Sequence, residues 1–462
     1  MAEMEISKEE GMRQLELKRN LLNGVDDGIV RALADRERLV REIGEVKSEY
    51  GLGRFDPSRE NLVFKVVEGL ATHYSDTPEF PGFMREVFSL AVSYSHLVQR
   101  NIMGDRKTPE LERLISDLTG LRIMEPKRFI TPREVKARYP LTEKAGTTTL
   151  EARKVIQNIM CGNDKRMLMV VGPCSIDDPE AALEYAGKLK KLADDVIDNI
   201  YIVMRTYFEK PRTTVGWKGF LLDPDRDDSY NIEKGHLESR KLLREINEMG
   251  MPCGTEFLGL LTPQYFDDLI AWAAIGARTV ESQPHREMAS GLSMPVWFKN
   301  STYGDEQVAV DAVGSARGKH FFVGGDIDRN YAIIPTLGNP DTGIILRGGN
   351  GTPNYGADAV ARAVGLCKKA GIDPWIIIDA SHANSNKDHE KQVDILRNIV
   401  KQRALGNYHI VGAMVESYLI AGNQKIDGDV KGLSMTDKCM GWETTESSIR
   451  DAYQVLSRRK AV

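Results

Sequence analysis

The feature that most constrains the fold is a series of eight short apolar runs between residues 167 and 417. Stretches with helical spacing separate the runs. They read MLMVVG, IYIVMR, CGTEF, IGARTVES, PVWFKN, GIILRGG, WIIIDASH and HIVGAMVES. Short, β-branched apolar runs that alternate with helices are typical of buried parallel strands. Eight such units in about 250 residues predict an α/β fold with a closed (β/α)₈ TIM barrel rather than an open doubly wound sheet.

A ninth run, HFFVGGDIDRNYAII, has a turn-rich middle and predicts a β-hairpin inserted into the barrel. Residues 1–100 differ, because their apolar residues recur three or four positions apart as in amphipathic helices. The stretch from about Ser7 to Lys47 is long for a globular helix and favours a bundle or paired helices. We predict an all-α domain over residues 1–100, a linker over 101–120 and the barrel domain over 121–462.

Composition narrows the possible functions. The 462 residues carry a formal net charge of −5, so the overall charge indicates neither a nucleic-acid nor a membrane partner. No apolar run approaches the roughly 18 residues of a membrane span. The five cysteines are scattered, which favours a reducing compartment over a disulfide framework. The N-terminal segment is polar and does not resemble a signal peptide, so we expect a cytoplasmic protein.

Catalytic groups of (β/α)₈ barrels gather at the carboxyl ends of the strands. The predicted strand ends carry Cys174, Arg205, Glu256, Arg278, Lys299, Arg347, His382 and Glu416. Lys210 and Arg212 follow one of these ends in the motif KPRTT. Six cations at one barrel mouth would repel one another unless anions occupy it. The pattern therefore predicts substrates with several negative charges, although any one arginine taken alone is more often a surface residue.

A second group of residues is distinguished by its metal-ligand chemistry: Cys174, His382, Glu416 and Asp437. A thiolate, an imidazole and two carboxylates suit a borderline divalent ion such as Mn²⁺, Fe²⁺, Co²⁺ or Zn²⁺. No pair has the short spacing of a zinc finger, so the spacing alone does not decide. The cysteine, in the motif VVGPCSI, could instead be a buried thiol or a nucleophile.

Eight motifs keep a characteristic order between about Leu121 and Arg459: GPCSI, VMRTYFEKPRTTVGWKG, GARTVESQPHRE, FKN, IILRGG, DASHANS, MVES and TDKCMGWE. They closely resemble the metal-dependent 3-deoxy-D-arabino-heptulosonate 7-phosphate (DAHP) synthases, in the branch with the feedback-regulated enteric isoenzymes. The resemblance implies condensation of phosphoenolpyruvate with erythrose 4-phosphate, the first step of the shikimate pathway. The neighbouring 3-deoxy-octulosonate 8-phosphate synthases have a different loop in place of KPRTT, which disfavours a pentose phosphate as the substrate.

The resemblance also implies residue roles. The metal ligands would be Cys174, His382, Glu416 and Asp437. The phosphoenolpyruvate site would comprise Arg205, Glu256, Arg278, Lys299 and Arg347. The erythrose 4-phosphate site would comprise Lys210, Pro211, Arg212 and Thr213, and Lys210 could also donate a proton. In the enteric enzymes the hairpin region helps to form an aromatic amino-acid site. Four residues depart from that pattern, so no amino-acid inhibitor is predicted: Gly324, Gly325, Asp326 and Asp328.

Three basic residues of the first helix constrain the function of the N-terminal domain. Arg36 and Lys47 are 11 positions apart, about 1,100° around a helix, so they lie within about 20° of the same face. Arg19 precedes Arg36 by 17 positions, which rotates it by about 260°. One straight helix therefore cannot direct Arg19 and Arg36 to one site. Either Arg19 is a surface residue or it serves the site of another subunit.

Residues 8–100 resemble the all-helical chorismate mutases. The matching positions are Arg19, Arg36, Lys47, Asp56, Arg59, Glu60, Ser95 and Gln99. In this family two chains intertwine and the first arginine enters the partner's site, which agrees with the rotation at Arg19. The resemblance implies a homo-oligomer, either a dimer or a tetramer. It also implies that the arginines bind the carboxylates of chorismate, that Lys47 and Gln99 donate to its ether oxygen and that Glu60 accepts from its ring hydroxyl.

The two resemblances predict one chain with two activities, DAHP synthesis in the barrel and rearrangement of chorismate to prephenate in the helical domain. These steps are not adjacent in the pathway, so a regulatory coupling is more natural than channelling. We expect chorismate or prephenate, bound to the helical domain, to control the barrel. The alternative is a helical domain that senses these metabolites without turnover.

Overall fold

The structure is a computed structural model that describes residues 2–53, 56–103 and 109–458. The chain divides into two compact units, Met1–Lys127 and Arg128–Val462. Parts of the predicted domains and linker lie outside the described residues, namely residues 1, 54–55, 104–108 and 459–462.

Amphipathic spacing produces the helices of the first unit. Those described are α1 (Ala2–Glu49), α2 (Pro57–Tyr74), α3 (Phe80–Met103) and α4 (Pro109–Leu118). Both α1 and α2 pack against α3. Gly44 lets α1 approach α3 closely, because a Cβ atom there would lie 3.2 Å from Ile102 Cδ1. Asp56 caps α2 by accepting a hydrogen bond from the backbone N–H of Arg59 at 3.0 Å.

The long amphipathic stretch from Ser7 to Lys47 lies in one continuous helix, α1, of 48 residues. Its second half contributes the buried Val40 to the packing against α3. By contrast, every residue from 11 to 35 is exposed, and this part includes a stripe of large apolar side chains. The exposed stripe includes Leu15, Leu21, Leu22, Val25, Ile29, Val30 and Leu33. The first half of α1 therefore presents an apolar surface that the described residues of its own chain do not cover.

Apolar runs form the strands of the second unit. The strands are β1 (Met167–Gly172), β2 (Ile200–Arg205), β3 (Cys253–Glu256), β4 (Trp272–Ile275), β5 (Val296–Lys299), β6 (Phe321–Gly325), β7 (Tyr331–Pro335), β8 (Thr342–Leu346), β9 (Ile376–Asp379) and β10 (Ile410–Glu416). Among the described residues, eight parallel strands close into a barrel in the order β1-β2-β3-β4-β5-β8-β9-β10. The other two, β6 and β7, form a separate antiparallel hairpin. The predicted (β/α)₈ barrel with an inserted hairpin is confirmed.

Helices precede, connect and follow the barrel strands. Those described are α5 (Pro132–Arg138), α6 (Glu143–Met160), α7 (Pro179–Asp195), α8 (Ile232–Glu248), α9 (Pro263–Phe266, followed by a 3₁₀ turn at Asp267–Leu269), α10 (Gln283–Ser290), α11 (Gln307–Arg317), α12 (Ala357–Lys369), α13 (Gln392–Ala404) and α14 (Trp442–Ser457). Inside the barrel, the rings of Trp272 and Trp297 stack 5.8 Å apart in a cluster that includes Ile156 of α6. Because side chains fill the interior, substrates have access only beyond the strand ends. No helix in the described part of the chain is long and apolar enough to cross a membrane.

The prediction of the fourth barrel strand was wrong in position. The sequence pattern indicated IGARTVES, residues 275–282, but β4 is WAAI and ends before Gly276. The chain then turns, and the N–H of Val280 donates to Gly276 O at 2.9 Å. Alanine is a poor strand former, so the β-branched residues after β4 gave a stronger signal than β4 itself. As a result Arg278 lies on a turn beyond β4 rather than on the strand.

Candidate active sites

The pairing of β1 with β10 determines where the cysteine of VVGPCSI lies. Gly172, the last residue of β1, pairs with Glu416, the last residue of β10. A Cβ atom at Gly172 would lie 2.7 Å from Arg205 O, so glycine is needed for the close approach of β1 and β2. Cys174 follows two residues later and is fully buried. The barrel therefore brings a thiol next to a carboxylate that is more than 200 residues away in the chain.

Three of the four predicted metal ligands meet at this point, and the fourth adjoins one of them. Cys174 Sγ and carboxylate oxygens of Glu416 and Asp437 all lie within 4.8 Å of one another. The fourth, His382, places Nε2 3.8 Å from Glu416 Oε1. Its Nδ1 lies 2.7 Å from Asp379 Oδ2, which orients the imidazole ring. A thiol, an imidazole and two carboxylates so close together are a donor set that fits a borderline divalent ion.

Two cations contact members of this cluster of candidate metal ligands. Lys210 Nζ lies 3.0 Å from Cys174 Sγ, and Arg205 Nη2 donates to Glu416 Oε1 at 2.9 Å. Burial raises the pKa of the Cys174 thiol and the Glu416 carboxylate raises it further, whereas Lys210 opposes both. Burial also raises the pKa of Glu416, but His382, Arg205, Lys210 and a hydrogen bond from Ser381 together outweigh burial, so its pKa lies well below the usual range. Glu416 is therefore held as a carboxylate in a buried position.

The pocket beside the metal-ligand cluster contains the predicted cations. Its lining includes Arg205, Lys210, Arg212, Arg278, Lys299 and Arg347, together with Glu256. Lys299 Nζ donates to Glu256 Oε2 at 2.8 Å, and both side chains are buried. Burial raises the pKa of Glu256, but the Lys299 ammonium, helped by Arg205 and Lys210, more than offsets this, so the pKa is lowered and the pair is ionic. The pocket has the cation-rich lining that anionic substrates need.

The KPRTT segment forms one side of this pocket. Lys210, Pro211 and Arg212 line the pocket, whereas Thr213 is exposed and accepts a hydrogen bond from Arg278 Nε at 3.3 Å. Arg212 Nε donates to the carbonyl oxygen of Trp217 at 2.7 Å. This hydrogen bond uses Nε of the guanidinium and restrains the orientation of the Arg212 side chain.

The pocket lining also contains residues that were not identified from the sequence, and Tyr207 and Lys387 are two of them. The ring of Tyr207 lies under the guanidinium of Arg205, 3.6 Å from its Cζ, and the buried hydroxyl makes no hydrogen bond within the described residues. Lys387 Nζ contacts Asp437 Oδ1 at 3.1 Å. Tyr207 could have been predicted from the sequence, because it lies two residues beyond the end of β2. No comparable signal marked Lys387, because it follows β9 by eight residues in an irregular loop.

In the helical unit, α3 brings four of the predicted chorismate-site residues together. Arg36 Nη1 donates to Ser95 Oγ at 2.5 Å, and burial lowers the pKa of this arginine. Lys47 Nζ donates to Gln99 Oε1 at 3.4 Å. Ser95 and Gln99 are buried and lie one turn apart on α3. The expected common face of Arg36 and Lys47 thus coincides with the face of α1 that contacts α3.

The remaining predicted residues lie at the start of α2 and in the first half of α1. Asp56 caps α2, Arg59 is exposed, and Glu60 Oε1 lies 2.8 Å from Nε2 of His96 on α3. Arg19 is exposed and lies about 25 Å along α1 from Arg36, at 1.5 Å per residue. The structure therefore does not bring Arg19 to the other predicted residues of its own chain.

Residues 139–450, about two thirds of the chain, match the DAHP synthetase I family. The chain belongs to this family. It is 48% identical over 343 residues to the Phe-sensitive phospho-2-dehydro-3-deoxyheptonate aldolase of Escherichia coli strain K12, with 74% of this chain and 98% of that relative covered. The Tyr-sensitive enzyme of the same strain is 46% identical over 344 residues, with 74% and 96% covered.

Among solved structures, the phospho-2-dehydro-3-deoxyheptonate aldolase of Francisella tularensis SCHU S4 is similar to this DAHP synthase. It has a TM-score of 0.72 and 48% identity, and the match covers 73% of this chain and 99% of that one. Residues 18–100 match the family described as chorismate mutase type II. The chain thus combines a DAHP synthase barrel with a chorismate mutase type II domain, and both resemblances found in the sequence are confirmed.

Proposed function

We propose that the barrel joins phosphoenolpyruvate, erythrose 4-phosphate and one water to give DAHP and phosphate, and that the helical domain rearranges chorismate to prephenate. The observation that carries the first part is the cation-lined pocket next to the cluster of Cys174, Glu416 and Asp437. Membership in the DAHP synthetase I family supports the same reaction.

The phosphoenolpyruvate subsite comprises Arg205, Glu256, Arg278, Lys299 and Arg347. The planar forks of the arginines suit the oxygens of the phosphate and the carboxylate, and Lys299 adds a compact charge. Glu256 accepts from Lys299 at 2.8 Å, which supports a role in orienting that ammonium group. A substrate with a phosphate and a carboxylate loses favourable hydration when it enters the pocket. Attraction to several buried cations offsets this free-energy cost.

The erythrose 4-phosphate subsite comprises Lys210, Pro211, Arg212 and Thr213. The hydrogen bond from Arg278 to Thr213 supports this assignment, because it connects the KPRTT segment to a residue of the phosphoenolpyruvate subsite. Two anionic substrates held side by side react as if in one molecule, which lowers the entropic cost of the condensation. Lys210 donates a proton to the aldehyde oxygen as the carbon–carbon bond forms.

Cys174, His382, Glu416 and Asp437 hold a divalent ion, either Mn²⁺, Fe²⁺, Co²⁺ or Zn²⁺. When bound, the ion supplies Lewis acidity toward the aldehyde oxygen of erythrose 4-phosphate. The convergence of the four donor side chains and the family's metal dependence support this assignment. Asp379 keeps the His382 ring in place through its contact with Nδ1.

In the helical domain, Arg36 and Arg59 act together with Arg19 of the partner subunit. These arginines bind the two carboxylates of chorismate and hold its compact conformer. Lys47 and Gln99 donate to the ether oxygen as negative charge develops there. Glu60 accepts from the ring hydroxyl, and Asp56 and Ser95 complete the site. The contacts of Lys47 with Gln99 and of Arg36 with Ser95 support this site, because they gather its polar groups on α3.

The helical domains of two chains form an intertwined dimer, within a dimeric or tetrameric protein. The exposed apolar stripe on the first half of α1 supports this proposal, since a helical stretch of about 25 residues without a packing partner is marginal in water. A partner helix on this stripe would also bring each Arg19 to the site of the other chain. An apolar stripe of this length is expected to be covered.

Chorismate or prephenate, bound to the helical domain, regulates DAHP synthesis. The fusion supports this proposal, because the two reactions do not follow one another and a shared chain gains nothing from channelling. Regulation requires that the metabolite bind two states of the protein with different affinity. The second candidate, a sensing domain without turnover, is disfavoured by Lys47 and Gln99, whose donors are needed for catalysis rather than for binding alone.

Two rate assays on one preparation of the full chain test these proposals. One follows chorismate loss, and the other follows phosphoenolpyruvate loss in the presence of erythrose 4-phosphate. A chelator should abolish the second rate and leave the first unchanged, and added Mn²⁺ should restore the second. Prephenate should change the condensation rate at concentrations near its dissociation constant. Condensation that persists after complete metal removal would contradict the metal assignment. A condensation rate that neither prephenate nor chorismate changes would contradict the regulation.

A further inference from the structure

A histidine with no predicted role, His96, lies within the proposed mutase site. His96 is on α3, and its Nε2 lies 2.8 Å from Oε1 of Glu60 in the first turn of α2. Both side chains are about two thirds buried, with 29% and 30% of their surface exposed. The contact is long-range in the chain, because 36 residues separate the two partners.

The two neighbours of His96 on α3 are themselves site residues. Ser95 accepts from Arg36, and Gln99 accepts from Lys47. Residues at positions i, i+3 and i+4 share one face of a helix, so His96 and Gln99 lie on the same side of α3. The His96–Glu60 contact therefore belongs to the same row of polar contacts that joins α3 to the proposed chorismate ligands.

The direction of the hydrogen bond follows from the chemistry of its partners. An ionised carboxylate can only accept, so Nε2 of His96 carries the hydrogen and donates it to Glu60 Oε1. A carboxylate has two oxygens, and a bond to one of them orients the other. Glu60 alone, in the first turn of a helix, would be free to rotate about its side-chain bonds and would lose this orientation.

We propose that His96 is a positioning residue of the mutase site, which holds Glu60 Oε1 so that Oε2 accepts the hydrogen bond from the ring hydroxyl of chorismate. The inference rests on the proposed mutase function of the helical domain. The competing explanation is a packing contact between α2 and α3 that has no effect on substrate recognition.

The test uses the full chain and steady-state mutase kinetics of His96→Leu and His96→Gln. Leucine keeps the bulk and removes the donor, whereas the glutamine amide can still donate to Glu60. Because the hydroxyl contact exists in the bound substrate and in the transition state alike, His96→Leu should raise KM about tenfold and change kcat less than twofold. His96→Gln should recover KM to within about threefold of the parent. His73→Leu, at an exposed histidine on α2, is the matched control and should change neither constant.

A chorismate analogue without the ring hydroxyl separates positioning from packing. With this analogue the parent and His96→Leu should have the same KM within about twofold, because the group that Glu60 recognises is missing. A tenfold difference that persists with the analogue overturns the proposal. Equal impairment of His96→Gln and His96→Leu with chorismate overturns it as well.

Failure of the mutase function is distinguishable from failure of this inference. If the parent protein shows no mutase turnover, the same variants are compared by calorimetric titration with chorismate. A roughly tenfold weaker Kd for His96→Leu, recovered in His96→Gln, then supports the positioning role in a sensing domain. Equal Kd values for the parent and His96→Leu overturn it. A parent protein that binds no chorismate overturns both the mutase function and this inference.

Discussion

Lys210 Nζ lies 3.0 Å from Cys174 Sγ and donates to the carbonyl oxygen of the same residue at 3.2 Å. Through these two contacts the KPRTT segment, which follows β2, is tied to the end of β1. The ammonium group therefore adjoins the proposed metal site on one side and the proposed aldose-phosphate subsite on the other. This position connects the two parts of the condensation site and leads to the first prediction.

Cys174→Ala should lose bound metal and lower the condensation rate by more than about 100-fold, because the proposed thiolate ligand and its charge are removed. Mutase activity should stay at the parent level, since the rearrangement needs no metal. Metal content measured by mass spectrometry and the two rate assays check this outcome. Cys367→Ala, at a buried cysteine of α12, is the control and should keep both metal and rate. Full metal-dependent condensation by Cys174→Ala would show that the metal site lies elsewhere.

Tyr207→Phe should raise the KM for phosphoenolpyruvate roughly tenfold, because the buried hydroxyl of Tyr207 is placed to donate into the pocket once the substrate is bound. The phenylalanine ring should keep the cation–π contact with Arg205, so thermal stability should be unchanged or slightly higher. Initial rates and a thermal melt check both parts. An unchanged KM together with a higher melting temperature would mean that the hydroxyl has no part in substrate binding.

His236 should make barrel stability depend on pH. Burial lowers the pKa of His236 to about 4, and the carbonyl of Ile232 opposes this only in part. A histidine whose folded-state pKa lies below the unfolded value of about 6.5 stabilises the fold above that value, and this contribution is lost as the pH falls toward 4. The parent should thus lose about 2 kcal/mol more than His236→Phe between pH 7 and pH 5.

Urea unfolding followed by tryptophan fluorescence is a suitable measurement for the His236 prediction, because all five tryptophans belong to the barrel unit. They are Trp217, Trp272, Trp297, Trp375 and Trp442. The same pH dependence in the parent and in His236→Phe would show that His236 does not resist protonation in the folded state.

Arg19→Ala and Lys47→Ala should each lower mutase activity at least 100-fold when pure, since each removes a cation that we propose acts on chorismate. When equal amounts are unfolded together and refolded, about a quarter of the parent activity should return, because half of the dimers are mixed and each mixed dimer has one intact site. Arg31→Ala, at an exposed arginine that pairs with Asp27 on α1, is the control and should stay active throughout. No recovery on mixing would mean that Arg19 acts within its own chain.

Much of the barrel could be predicted from the sequence because a parallel strand buried on both faces is a continuous apolar run, and because the polar residues that end such runs share one edge of the sheet. Lys299 and Glu416 were placed correctly at strand ends for this reason. The apolar-run pattern did not locate β4, because two of its four residues are alanines and alanine is a poor strand former. The predicted element of Arg278 was therefore wrong, although its side chain lines the cation-rich pocket.

The sequence by itself determined the local features: which runs are buried, which helix faces are apolar, and which chemical groups stand at the ends of strands. These follow from periodicity, since burial of one side of a helix or both sides of a strand leaves a repeating pattern in the chain. The same reasoning shows that Arg19 and Arg36 cannot serve one site on a straight helix.

Only the tertiary structure decided which of these groups meet. Closure of the barrel pairs Gly172 with Glu416 and so brings Cys174 to its carboxylate neighbours, and packing of α2 on α3 brings Glu60 to His96. Contacts between residues far apart in the chain leave no periodic signal, because each partner satisfies its own local pattern equally well without the other. Three-dimensional packing therefore determines the chemistry of both sites.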